Sequence, residues 1–188
     1  MGRNAGFIAV GATVANQDVN FVLIPEVPFR LEGDTGFLQT LKKRICERRH
    51  AVIVVAEGAG QDLIPHGEKL HDAAGNVLLD DIGLYLKDQI EKFFREEHIP
   101  VTIRYFDPSY SIRSCPADAE DSILCDLFAR NAVHAAMAGK TGLVIGYLHD
   151  TFIHIPIEML PKRTKRIDLS GWEWRSAIAA TGQPEQFM

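Results

Sequence analysis

Ala51-Val52-Ile53-Val54-Val55 is the most strand-like stretch of the chain, and it runs into Glu57-Gly58-Ala59-Gly60. Its side chains are apolar, mostly β-branched and uncharged, as expected of a strand covered on both faces. The glycines behind it mark a loop. A second apolar run, Phe21-Val22-Leu23-Ile24, stops at Pro25 and reads as a partner strand. Between the two, Gly36 to Arg49 carries Phe37, Leu38, Leu41 and Ile45 at helical spacing, with most of its basic residues elsewhere. Strand, helix, strand is the unit of a parallel sheet.

The alternation continues in both directions. Gly6 to Asn16 is a helix of small residues. Asp80-Asp81 opens an amphipathic helix with Ile82, Leu86, Ile90 and Phe93-Phe94 as its apolar positions, its carboxylates lying where the helix dipole favours them. Val101 to Phe106 is predicted as a strand, followed by a turn at Asp107-Pro108-Ser109. Asp118 to Ala138 is a long helix stopped by Gly139, and Asp118, Glu120 and Asp121 read as its cap. Gly142 to Ile145 and Phe152 to Ile155 are predicted to pair as a hairpin around His149-Asp150. Trp172 and Trp174 sit on a short helix in the tail. The fold class expected is α/β, a mostly parallel sheet with helices on both faces.

Composition fits that class. The 188 residues are 46% hydrophobic and 24% charged, an ordinary globular balance. A chain of this length buries about 70% of its unfolded surface and needs no disulfide staple. The net charge of −5 exerts no general pull on nucleic acid or anionic lipid, so neither is expected as a partner. There is no run long enough for a membrane helix. Phe7 to Ala15 after Arg3 loosely imitates a secretory signal, but a buried helix accommodates it better. Cys46, Cys115 and Cys125 are an odd number without a C-x-x-C pair, which suggests a reducing, cytoplasmic setting and no zinc site.

In parallel sheets, ligands bind beyond the carboxyl ends of the strands. The segments to examine are therefore Pro25-Glu26, Glu57 to Gly60, and Asp107 to Arg113. Glu57 and its glycines suit either a loop that accepts sugar hydroxyls or a plain strand exit. Arg104, Tyr110 and Arg113 suit either an oxyanion cradle or surface charge around a half-buried tyrosine. Arg3 precedes a helix and would add a cation beside its amides. Gly139-Lys140-Thr141 spells the end of a P-loop, but position 134 is His134 and the helix–strand order is reversed. His134, His149 and His154 lack metal-ligand spacing and read as structural. Lys162-Arg163 and Lys165-Arg166 read as a solvated connection.

These same residues carry a resemblance. Met1-Gly2-Arg3 with Gly6-Phe7-Ile8-Ala9, then Leu23-Ile24-Pro25-Glu26 with Phe29 and Leu31-Glu32-Gly33, resemble elements of the 6-phosphofructokinase family. So do Val54 to Gln61 (VVAEGAGQ), Tyr105 to Ser114 (YFDPSYSIRS) with Pro116-Ala117, Ala132 to Gly139, and Ile155-Pro156-Ile157. The branch is that of the ATP- and pyrophosphate-dependent enzymes of plants, protozoa and many bacteria. The likeness is firm to about Ile157 and thinner in the tail.

The resemblance implies that Met1, Gly2, Arg3, Glu57, Tyr110 and Arg113 bind fructose 6-phosphate, with Arg104 reaching the phosphate in some members. Glu57 would hold hydroxyls, and Tyr110 and Arg113 the 6-phosphate. The family's donor loop and catalytic aspartate precede its M-G-R element, so no catalytic residue is expected in this chain. It looks like the carboxyl-terminal, acceptor-binding half of a kinase that makes fructose 1,6-bisphosphate in glycolysis. Mg and ATP (or pyrophosphate) would belong to the whole enzyme, itself a homo-oligomer. The partner implied is the missing amino-terminal lobe or an intact homologue. Residues 1–117 would form most of the smaller lobe, and 118–188 would return towards the missing larger one, leaving an apolar face. A truncated gene, a split gene or an expressed fragment each accounts for the start at M-G-R. The alternative is a catalytically inactive sugar-phosphate-binding module or regulatory subunit.

Overall fold

A computed structural model describes residues 4–65, 71, 75, 77–160 and 165–188, with the side chains of Ser109, Tyr110 and Arg113 outside the description. The chain divides into two compact units, Met1–Phe106 with Thr164–Met188, and Asp107–Arg163.

The first unit is built on the two strands expected. β1 (Phe21–Leu23) and β2 (Ile53–Val55) pair in parallel, with Phe21 opposite Ile53 and Leu23 opposite Val55. α1 (Phe7–Ala15) precedes β1, α2 (Phe37–Arg48) links the strands, and α3 (Ile82–Glu96) follows β2. Side chains alternate across a strand, and β1 sorts its residues accordingly. Phe21 and Leu23 join Phe37, Leu41, Ile82, Leu86, Ile90 and Phe94 in one buried cluster. Val22 and Ile24 join Ala9, Val10, Trp174 and Ala177 in another. Trp174 and Ala177 belong to the tail helix (Trp172–Thr181), which packs on α1. The strands are therefore covered on both faces, which is why they carry no charge.

Local chemistry sets the helix ends. Asp81 caps α3 by accepting the Leu84 N–H at 2.9 Å. On α1, the buried Thr13 satisfies its hydroxyl on the Ala9 carbonyl at 2.8 Å. The tail closes the unit by means that local pattern does not reveal. The Gln183 side chain accepts the Val22 N–H at 2.7 Å and donates to the Val22 carbonyl at 3.2 Å, taking the place of a neighbouring strand. Phe187 enters the first cluster, its ring edge-on to Phe37 with centroids 5.4 Å apart. The Thr35 hydroxyl donates to the Met188 carbonyl.

The second unit contains α4 (Ser109–Ser114), α5 (Ala119–Met137) and an antiparallel hairpin of β3 (Leu143–Leu148) and β4 (Thr151–Pro156). The hairpin turn is His149-Asp150, with φ of 47° and 59°, the two positive values that a type I′ turn requires. Asp118 caps α5 on the Asp121 N–H at 2.9 Å. Gly139, at φ 71°, ends the segment beyond it. Gly139-Lys140-Thr141 is thus a helix exit. Phe128 meets Phe152 edge-on at 5.0 Å. Ala135 is the one fully buried apolar residue of this unit among those described. Ile123, Leu127, Val133 and Met137 are exposed, Met137 by 82%. At 100° per residue these four fall within about 120° of the helix circumference, an exposed stripe that they share with the Asp126–Arg130 ion pair.

Two expectations need correction. Val101 to Phe106 forms no strand. Its alternation is real, since Val101 and Ile103 pack on the first cluster while Thr102 and Arg104 are exposed. Alternation reports a buried face and says nothing about a ladder partner. The described sheets are accordingly two-stranded, one parallel and one antiparallel. The turn expected at Asp107-Pro108-Ser109 is the entry to α4, with Pro108 at its N-cap.

Candidate functional site

Because β1 and β2 are parallel, their carboxyl ends lie at one edge, and both are followed by acidic residues. After β2, Ala56 extends the pairing by donating its N–H to the Leu23 carbonyl at 2.9 Å. The chain then turns sharply, the Ala59 N–H returning to the Ala56 carbonyl at 2.9 Å. Ala59 is fully buried, and Gly60 has φ 59°. A Cβ at Gly60 would stand 2.8 Å from the Phe29 ring, so glycine is required there on both counts. This tight turn presents Glu57 to solvent.

Gln61, the last residue of that motif and one to which the sequence assigned no role, steadies that presentation. Its amide donates to the Glu57 carbonyl at 2.9 Å and to the Asp80 carbonyl at 3.0 Å, and accepts the Asp80 N–H at 3.1 Å. Glu57 is therefore a free carboxylate on a backbone fixed by packing and hydrogen bonds. Such a group can accept hydrogen bonds from hydroxyls with little ordering cost.

Arg104 is exposed on the same unit, with Tyr105 beside it. The Tyr105 hydroxyl donates to the Asp81 carboxylate at 2.9 Å, so the cap of α3 also anchors the segment that carries Arg104. No hydrogen bond or ion pair joins Arg104 to Glu57 among the described residues. Tyr110 and Arg113 belong to α4 of the second unit, three positions apart in the sequence. Met1, Gly2 and Arg3 lie outside the described residues, as do Lys162 and Arg163. Lys165 is exposed, its ammonium 5.4 Å from the centre of the Phe7 ring. His154 meets Lys140 through Nδ1 at 3.3 Å. Among the described residues, no group of three or more His, Cys, Asp or Glu is placed to hold a metal ion. No helix there is long and apolar enough to cross a membrane.

The family profile described as "Phosphofructokinase" matches residues 1–136. The chain belongs to the phosphofructokinase family. Curated relatives agree over nearly its whole length. The ATP-dependent 6-phosphofructokinase of Borreliella burgdorferi is 47% identical over 190 residues, covering 98% of this chain and 42% of the relative. That of Amycolatopsis methanolica is 45% identical, covering 100% and 42%. That of Trypanosoma brucei brucei is 40% identical, covering 96% and 37%. Among solved structures, the pyrophosphate-dependent phosphofructokinase of Marinobacter aquaeolei aligns with a TM-score of 0.67 at 19% identity, over 100% of this chain and 47% of that one. This likeness supports the α/β fold. The chain spans less than half the length of each of these relatives.

Proposed function

We propose that this chain is the acceptor-binding half of a 6-phosphofructokinase, the enzyme class that phosphorylates fructose 6-phosphate in glycolysis. The observation that carries the proposal is Glu57, held out on a rigid turn at the carboxyl end of a parallel strand in a chain of this family. In this reading the Glu57 carboxylate accepts hydrogen bonds from the sugar hydroxyls. The Arg113 guanidinium and the Tyr110 phenol hold the 6-phosphate, whose oxygens match the arginine fork. Arg104 adds a cation to that phosphate, and Met1-Gly2-Arg3 completes the acceptor site.

Phosphoryl transfer further needs a cradle for the donor phosphates, a metal and a residue to orient the attacking hydroxyl. The described residues include no such set, Gly139-Lys140-Thr141 being a helix exit. ATP is the donor in the names of the curated relatives. In our reading, ATP and Mg are held by the family's other half. Residues 1–117 then form most of the smaller lobe, and the segment from Asp118 turns towards the larger one before the tail, from Lys165, packs back into the first unit. The exposed stripe on α5 supports an interface of that kind. A cytoplasmic homo-oligomer is the assembly that this reading assigns to the whole enzyme.

Titration of fructose 6-phosphate into the chain tests the acceptor role. Saturable binding is expected, with Arg113→Ala weakening it by more than about tenfold, the ordinary cost of a lost charge-assisted contact. Equal binding by the variant, or none by the wild type, contradicts it.

A further inference from the structure

We propose that Gln61 and Tyr105 are joint positioning residues, which fix the spacing between Glu57 and Arg104 by fastening both to the first turn of α3. The inference rests on the acceptor-half reading above, in which Glu57 meets the sugar hydroxyls and Arg104 the phosphate. All of these residues lie in the first unit and among those described.

Glu57 and Arg104 stand on separate segments, and both segments grip the same short stretch, Asp80 to Gly83. Asp80 and Ile82 hold the Glu57 turn. The Gln61 amide donates to the Asp80 carbonyl at 3.0 Å and accepts the Asp80 N–H at 3.1 Å. The same amide nitrogen donates to the Glu57 carbonyl at 2.9 Å. A Cβ at Gly60 would stand 3.1 Å from Ile82 Cδ1, so the turn also lies against the start of the helix. Asp81 and Gly83 hold the Arg104 segment. The Asp81 carboxylate accepts the Tyr105 hydroxyl at 2.9 Å through Oδ1 and at 3.0 Å through Oδ2. A Cβ at Gly83 would overlap the Tyr105 ring, so the ring rests directly on the helix backbone. Successive residues of one helical turn thus bind two different segments.

These contacts are not set by local chain geometry. Gln61 and Asp80 are 19 positions apart, and Asp81 and Tyr105 are 24 apart. The side chains of Glu57 and Arg104 still rotate, but they rotate about anchors at a set separation. A sugar phosphate carries its hydroxyls and its phosphate at a separation of its own. Anchors already at the matching spacing bind it with less ordering cost. Release of either Gln61 or Tyr105 lets one anchor drift relative to the other. A second release then frees a spacing already lost.

The test is a double-mutant cycle on affinity for fructose 6-phosphate, measured by calorimetry on the full chain, with thermal stability alongside. Gln61→Ala and Tyr105→Phe are each expected to weaken binding by about threefold to tenfold. The double variant is expected to lose no more than about twofold beyond the weaker-binding single variant. Gln183→Ala is the control, since it removes hydrogen bonds elsewhere in the same unit; it is expected to lower the melting temperature and leave affinity unchanged. Where Gln61→Ala fails to fold, Gln61→Glu takes its place. It keeps an acceptor for the Asp80 N–H, loses both donated bonds, and is expected to weaken binding likewise. Wild-type affinity in Tyr105→Phe, or in the folded Gln61 variant, overturns the inference. Losses that multiply in the double variant overturn it as well, because the two residues would then act independently. An equal loss of affinity in Gln183→Ala overturns it too, since Gln61 and Tyr105 would then act through stability alone. A wild-type chain that binds no fructose 6-phosphate overturns the acceptor-half reading itself, and the joint role of Gln61 and Tyr105 falls with it.

Discussion

The two units bury apolar surface to very different extents. In the unit formed by Met1–Phe106 and Thr164–Met188, both faces of β1 are covered, and Phe37 and Phe94 are almost fully buried. In the unit Asp107–Arg163, α5 covers the hairpin with one side and exposes Ile123, Leu127, Val133 and Met137 on the other. The strands of the first unit are therefore covered on both faces, whereas the second unit leaves these apolar residues of α5 exposed. In the proposed reading, those residues meet the part of the enzyme beyond the 42% of a relative that this chain spans.

Substitutions can break this comparison, the most damaging first. Phe37→Ala empties the centre of an aromatic cluster that includes Phe21, Phe29 and Phe187. It is expected to cost about 3–5 kcal/mol, read by chemical denaturation, with hydrogen exchange locating the loss in the first unit. A cost near zero would mean that this core is not the stable one. Val133→Lys on the exposed stripe should alter the stability of the chain alone by no more than about 0.5 kcal/mol. The same change is expected to abolish association with the rest of a family enzyme, measured by co-purification. Unimpaired association would remove the stripe from the interface.

Two exposed pairs, one in each unit, give the smallest and sharpest contrast. Hydrogen bonds from the Ser170 hydroxyl and amide hold the Asp168 carboxyl below its ordinary value of 3.8. Its contribution is full above that value and disappears as pH falls through the lowered one. In the second unit, the hydrogen bond to Asp150 raises the Tyr147 phenol above 10.0. That contribution is full below 10.0 and is lost as pH rises through the raised value. Carboxyl titration by NMR and phenolate absorbance check the two directions separately.

Much of the first unit was legible because its signals are local. The uncharged runs at Phe21 and Ile53, the helical spacing of Ile82, Leu86, Ile90 and Phe94, and the cap Asp81 each act within a few residues, as does the cap Asp118 in the second unit. Val101 to Phe106 misled because alternation identifies a packed face without naming a strand partner. α4 was hidden by Asp107-Pro108-Ser109, a spelling that serves a turn and a helix entry equally well. Glu57 was legible as a carboxylate after a strand. Glu26 was legible in the same way, but its bond to Ile167 and that of Gln183 to Val22 were not, since they span 141 and 161 positions and no local pattern encodes such a bond.

The most direct test of the account is reconstitution. The chain would be mixed with the separately produced portion of the Borreliella burgdorferi enzyme that it does not match, and ATP-dependent phosphorylation of fructose 6-phosphate would be measured. The account predicts no activity from either piece alone, activity from the mixture, and new hydrogen-exchange protection along α5. Activity from this chain by itself, or an inactive mixture in which α5 has become protected, would contradict it.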